Sequence, residues 1–200
     1  KNLGFIGSCN AGAKRAAKEY VCFLNNDTKV LPHWMSALIN TFELHEGVGL
    51  AGSKLIYPDG RLQEAGGLIW EDGSGWNWGR FKSVADPRYN YARVADYCSG
   101  ASILLPRALF SSLGGFDPHY APAYGEDSDL AFKIRSMGLA TIYQPLSQVV
   151  HYEGVSNGVS LSSGVKQHQV VNAQKLAARW APYLREQGPN GVNADIVSDR

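Results

Sequence analysis

The run YVCFL at 20–24 is apolar and ends abruptly on Asn25, Asn26 and Asp27. Bounded so sharply by turn-forming residues, it predicts a buried strand. Before it, the alanine-rich stretch Asn10 to Lys18, with Asn10 able to cap, predicts a short helix. After it, Pro32 suits a first helical turn, and Trp34, Leu38, Ile39 and Phe42 follow at helical spacing before Gly47. VGLAGSKLIY and RLQEAGGLIW, joined by PDG, predict a strand, a tight turn and a strand from Val48 to Trp70.

Residues 71–93 break this regularity: glycines and aromatics abound without a steady period. A loop this long in a compact domain is a binding loop or is disordered, and its aromatic faces argue against simple disorder. VADYCSGASILLP from Val94 predicts a strand interrupted at Ser99 and Gly100. GEDSDLAFKIRSMG predicts a helix with Leu130, Ile134 and Met137 on one face and Gly138 as its stop. TIYQ and SQVVHYE predict short strands on either side of Pro145, and Lys166 to Leu184 an amphipathic helix carrying Val170, Ala173, Ala177 and Trp180. Strands alternating with helices predict an α/β layer around a mixed sheet.

Two hundred residues suffice for one domain, or one domain with a tail. The formal net charge of +1 gives no electrostatic case for nucleic acid as a partner. Cys9, Cys22 and Cys98 have no metal-ligand spacing, which favours reduced thiols in a cytosolic protein. No apolar run approaches the roughly 18 residues of a membrane span, and no signal peptide is visible. The chain opens at Lys1 inside a structured segment, the expectation for an excised piece.

Four places can carry chemistry. Asn25, Asn26 and Asp27 end a strand, where open α/β sheets bind ligands, and a carboxylate there can hold Mg²⁺ or Mn²⁺. The same three residues can simply turn the chain. Glu126, Asp127 and Asp129 suit the first turn of a helix, yet three carboxylates in four residues exceed what capping needs. One of them can act as a general base. His151 ends a strand, either as a structural residue or as a metal ligand if it returns beside Asp27. Trp70, Trp76, Trp78, Phe81, Tyr89 and Tyr91 can stack on sugar rings or pack beneath the loop.

In order, these segments resemble the family-2 glycosyltransferases, inverting enzymes of the GT-A fold. The resemblance rests on the NxGFxxxxNxGxxxA opening, LNNDT, PxW, PDGRLQEAGG, CSGA, GGFD, EDSDLAFKIRSMG and VVHYEG, and it covers about residues 1–184. The PDGRLQEAGG version is similar to bacterial enzymes that build O-antigen and other surface polysaccharides. The resemblance implies a catalytic core over 1–184, with 185–200 as a linker or tail. It implies Asp27 and His151 as ligands of Mg²⁺ or Mn²⁺, with Asn25 in place of the first aspartate of a DxD-type motif and Asn26 beside it. Asp127 would be the base that deprotonates the acceptor hydroxyl, and Glu126 would shape the acceptor site. Ser99 and Gly100 would line the sugar pocket, and the aromatic loop, with Trp76 and Trp78, would face the acceptor.

A nucleotide-sugar donor and a saccharide or lipid-linked acceptor are the implied partners. The implied location is the cytoplasm, at the inner face of the membrane where a lipid-linked acceptor would require peripheral contact. The family's usual opening strand, which helps hold the base and ribose, is not found ahead of Lys1. The expectation is therefore a GT-A-like mixed sheet truncated on its N-terminal side, weak or no transfer by this piece alone, and an unpaired sheet edge that invites homo-oligomerisation. A rival reading is a non-catalytic glycan- or nucleotide-binding module. It does not require Asp27, Asp127 and His151 to line one cleft at the strands' carboxyl ends, so their placement discriminates.

Overall fold

The structure, a computed structural model, describes residues 3–152 and 168–190. Helix α1 spans Gly4–Arg15, earlier than expected. Asn10 does not cap it; the side chain instead donates to Phe116 O at 2.8 Å and accepts from Phe116 N at 3.0 Å. Strand β1 is Tyr20–Leu24, as predicted, followed by β2 Thr28–Val30 and α2 Trp34–Leu44. Then come β3 Val48–Ile56, β4 Leu62–Glu64, β5 Gly67–Ile69 and β6 Gly75–Asn77. The single strand expected after PDG thus breaks at Gly66, whose φ of +79° suits glycine, and its second half pairs with β6 in a separate two-stranded sheet. Strand β7 is Arg93–Val94, β8 is Ser102–Pro106, and helix α3 is Arg107–Ser112.

Helix α4, Glu126–Ser136, begins and ends where the acidic cluster and Gly138 place it, but Met137 is 54% exposed and off the buried face. The two short strands expected around Pro145 are one strand, β9, Ala140–His151. Its register against β3 jumps from Ser53↔Gln144 to Lys54↔Gln148, so Pro145 sits in a bulge where its missing N–H breaks no ladder bond. Helix α5 is His168–Leu184, with Val170 exposed rather than inward; Lys166 lies outside the described residues.

The main sheet runs β1-β8-β3-β9-β2, with β4 on β3 and β7 on β9. Strands β3 and β9 are parallel, and β8 is antiparallel to both β1 and β3. The carboxyl ends of β1, β3 and β9 therefore share one edge of the sheet with the start of β8. Alternation along the strands feeds two apolar layers. Val21, Phe23, Ile103 and Leu105 face Phe110, Phe116, Leu130 and Ile134, while Tyr20, Cys22 and Leu104 face α2 through Leu38. Helices on both faces leave the shared carboxyl edge as the open rim.

Strands β1 and β2 end the path of the main sheet. Nothing in the described fold supports self-association through such an edge. The segment after α5 is docked as far as Asn190: Gln187 is buried, Gly188 O accepts from Glu71 N at 2.9 Å, and Asn190 bonds Ser74. The rest of the expected tail, 191–200, lies outside the described residues.

Candidate active site

The loop joining β7 to β8 is the hub of the rim. Asn25 N donates to Ala101 O at 3.0 Å, extending the β1–β8 ladder one residue past Leu24. Beside it, Gly100 N donates to Asp127 Oδ2 at 3.2 Å, and Ser99 N donates to Glu64 Oε1 at 2.9 Å. Three consecutive residues thus hold the end of β1, the start of α4 and the end of β4. A methyl group on Gly100 would lie 3.2 Å from Phe5 Cζ and 3.9 Å from Asp127 Cβ, so only a small residue sits here without displacing its neighbours.

His151 enters from β9, opposite Thr28 of β2. Its Nδ1 lies 3.0 Å from Gln63 Oε1, an acceptor, so Nδ1 carries a proton, and Nε2 faces Asp27 Oδ1 at 3.4 Å. Asn25 Nδ2 lies 3.5 Å from the same Nε2. In its neutral form with the proton on Nδ1, the ring would present Nε2 beside that carboxylate oxygen as two ligands for a cation. Ligands on adjacent vertices of an octahedron with bonds near 2.1 Å are about 3 Å apart, close to the observed separation. Among the described residues no group of three or more His, Cys, Asp or Glu is arranged to hold a metal. Asp27 and His151 are the facing pair at this rim whose side-chain chemistry suits a divalent cation.

The acidic cluster divides by environment. Asp129 is fully buried and structural: its carboxylate accepts from Trp180 Nε1 at 2.8 Å and Tyr120 OH at 3.2 Å, and pairs with Lys133 at 3.0 Å. Asp127 is half-buried. Burial raises its carboxyl above the usual aspartate range, against the Gly100 and Ser128 N–H bonds that favour the anion. Glu126 is 6% exposed with Oε2 unpartnered, and burial, helped by the charge of Asp127, raises it as well. Burial thus holds both carboxyls toward their protonated forms.

Asp27, Asp127 and His151 thus gather at one rim, together with Asn25, Glu126, Ser99 and Gly100. Asn26 is exposed in the turn, where Thr28 Oγ1 donates to Asn25 O at 2.6 Å, so a turn and the metal-facing pair coexist in one triplet. The aromatic loop corrects the expectation for Trp78. It is 3% exposed, edge-on to Tyr89 at 4.8 Å and covered by the Arg93 guanidinium at 4.0 Å, so it has no face for an acceptor. Trp70 and Tyr89 are buried with it. Trp76, 42% exposed, keeps an open face while packing edge-on against Trp70 at 5.3 Å.

Two site residues escaped the sequence reading, Gln63 and Glu64. Register passes from Ile56↔Leu62 to Leu55↔Glu64, which makes Gln63 the extra residue of a β-bulge. Both side chains are 1% exposed, where strict alternation would bury only one. Two adjacent polar residues between Leu62 and Ala65 were the available signal. Burial pushes the Glu64 carboxyl up to about 8, with Asp127 adding to the rise and Ser99 N–H, Arg93 and Arg80 opposing it.

The model of the family described as glycosyl transferase family 2 matches residues 1–111, more than half of the chain. The chain belongs to glycosyl transferase family 2. The matched part of this family-2 chain contains Asp27, Glu64 and the Ser99–Ala101 hub; Asp127 and His151 follow it. O-antigen biosynthesis protein RfbC of Myxococcus xanthus is 31% identical over 153 residues, 74% of this chain and 12% of that protein. N-acetylglucosaminyl-diphospho-decaprenol L-rhamnosyltransferase of Mycobacterium tuberculosis is 25% identical over 182 residues, covering 84% of this chain and 58% of that enzyme. The chain therefore spans less than two thirds of either relative. The crystal structure of GalNAc-T7 with UDP, GalNAc and Mn²⁺ superposes with a TM-score of 0.67 at 15% identity, over 92% of this chain and 37% of that one. At that identity the likeness establishes the fold, a mixed α/β GT-A sheet flanked by helices.

Proposed function

We propose that this family-2 domain transfers a sugar, with inversion, from a nucleotide-sugar donor to a saccharide or lipid-linked acceptor in bacterial surface-polysaccharide synthesis. The observation that carries the proposal is that one three-residue loop bonds both Asp127, a carboxylate with raised basicity, and Asn25, which lies beside the facing pair Asp27 and His151. A glycan-binding module would have no need of that arrangement. The names of RfbC and of the mycobacterial rhamnosyltransferase support the surface-polysaccharide setting.

Asp27 and His151 would hold Mg²⁺ or Mn²⁺ against the donor's diphosphate, and the ion would neutralise charge on the leaving nucleoside diphosphate. Asp127 accepts the proton of the acceptor hydroxyl as that oxygen bonds to the anomeric carbon. The bond from this carbon to the diphosphate oxygen breaks on the opposite face, so one displacement inverts the centre. The Gly100 and Ser128 amides hold the carboxylate in place, and burial keeps its proton affinity high. Ser99 and Gly100 line the sugar pocket, with Asn25 and Asn26 near the diphosphate and Trp76 offering an aromatic face to the acceptor.

A nucleotide-sugar donor is met in the cytoplasm, so the proposal puts the domain there, at the inner face of the membrane when the acceptor is lipid-linked. No helix among the described residues is long and apolar enough to cross a membrane. A panel of nucleotide sugars, assayed with Mn²⁺ or Mg²⁺ and again with chelator, tests the proposal on the longest soluble form of the protein. Metal-dependent release of nucleoside diphosphate with one donor is expected. Donor or glycan binding without turnover across the panel would favour the binding module instead.

A further inference from the structure

We propose that Asn172, on α5, is a positioning residue for Asp127; the inference rests on the transferase reading given above. Asn172 is 1% exposed, and its Nδ2 donates to three carbonyls of one loop: Tyr120 O at 2.8 Å, Ala123 O at 3.0 Å and Tyr124 O at 2.8 Å. That loop runs directly into Gly125, the N-cap of α4, and then into Glu126 and Asp127. Gly125 has φ +90°, and a methyl group built on it would lie 3.6 Å from Asn172 Cβ. The amide therefore gathers the backbone immediately before the base.

The grip continues on the far side of Asp127. Trp180 Nε1 and Arg179, also from α5, reach Asp129 Oδ1 at 2.8 and 3.3 Å. Arg179 additionally pairs with Asp117 at 2.6 Å, ahead of the loop. Helix α5 thus brackets the segment 117–129, and Asn172 is its contact closest in sequence to Asp127 on the N-terminal side.

A purely space-filling role does not explain this side chain. Its Oδ1 is buried without a partner, a cost that leucine would avoid. The opposite orientation of the amide would set Oδ1 against three carbonyl oxygens, so the donors are the part that is used. Asp127 must lie within hydrogen-bond reach of an acceptor hydroxyl, and a misplacement of about 1 Å can cost about 100-fold in rate. Asn172 holds all three carbonyls at once, so loosening them moves the start of α4 without touching the Asp27–His151 pair.

The test compares wild type with Asn172→Leu, which keeps the branched shape and removes the donors, and with Leu176→Ala, which weakens α5 packing one turn further along the helix. In Asn172→Leu, kcat is expected to fall about 10- to 100-fold. The donor KM and Mn²⁺ affinity are expected to change less than about 2-fold, because the metal pair is untouched. Hydrogen exchange should rise in peptides covering 120–128 and stay constant in the main sheet. Leu176→Ala should lower Tm while keeping kcat near wild type. Unchanged exchange over 120–128, or raised exchange with wild-type kcat, overturns the inference. Equal loss of kcat in Leu176→Ala overturns it too, by reducing Asn172 to a packing residue. If Asn172→Leu does not fold, Asn172→Ser takes the same readouts. Should wild type turn over no donor, the transferase reading fails, while the exchange comparison still decides whether Asn172 clamps the loop.

Discussion

Gly100 N donates to Asp127 Oδ2 at 3.2 Å, and this bond joins a loop between strands to the first turn of a helix. It ties the candidate base to the same loop that holds Asn25, and through Asn25 to His151 and Asp27. The chemistry of the rim therefore depends on backbone hydrogen bonds as much as on the acidic side chains themselves.

Gly100→Ala tests that dependence. The added methyl group would press on Phe5 at 3.2 Å, and relief requires the ring or the loop to shift by a few tenths of an ångström. Overpacking of this kind costs about 1–3 kcal/mol. Calorimetry should show a lower Tm, and turnover should fall about 10-fold as the Asp127 bond lengthens. Wild-type turnover with a lowered Tm would separate the loop's stability from the placement of the base.

Gln63→Met tests the orientation of His151. The thioether keeps the bulk and removes the acceptor at 3.0 Å for the Nδ1 proton. Loss of such a supporting hydrogen bond typically lowers metal affinity about 10- to 100-fold. Mn²⁺ titration followed by electron paramagnetic resonance should show that loss, with Asp27→Asn losing more. Equal affinity in wild type and Gln63→Met would remove Gln63 from the site.

Glu64→Gln tests the buried carboxyl. Its ordinary value is 4.5 and the folded value about 8, so the folded state holds the proton more tightly than the unfolded state. Stability contributed by this group is full below 4.5 and is lost as pH rises toward 8. Gln stays neutral and can still accept from Ser99 N. Above pH 8 the variant should be stabilised on the order of 2–4 kcal/mol, raising Tm by about 5–10 °C, with little difference near pH 4.5. A difference in Tm that does not change with pH would show that Glu64 titrates normally.

Local pattern and long-range pairing account for what the sequence disclosed and what it withheld. Tyr20–Leu24 was legible because an apolar run meeting Asn25 is a local event, and α4 was legible because its acids and Gly138 mark both ends. The meeting of Asp27, Asp127 and His151 was expected only through the order of motifs. Gln63 became a site residue through a bulge set by β3–β4 pairing, and no local signal specifies that register. Pro145 argued for two strands because the bulge that accommodates it depends on the partner strand. Trp78 and Trp76 are two residues apart in an aperiodic loop, so nothing in their spacing tells which is buried.

Asp127→Asn carries the most direct test of the account. Gly100 N and Ser128 N bond different oxygens of Asp127, and the single Oδ1 of asparagine can accept from only one of them, so Tm should fall slightly while the donor KM and Mn²⁺ affinity stay near wild type. Wild-type kcat/KM should rise with pH through a carboxyl value above the usual aspartate range, because the unprotonated form is the active one. In Asp127→Asn, transfer to the acceptor should fall about 10²- to 10⁴-fold and lose that rise. A variant that transfers sugar at the wild-type rate, with the same pH profile, would contradict the assignment of Asp127 as base and the site built around it.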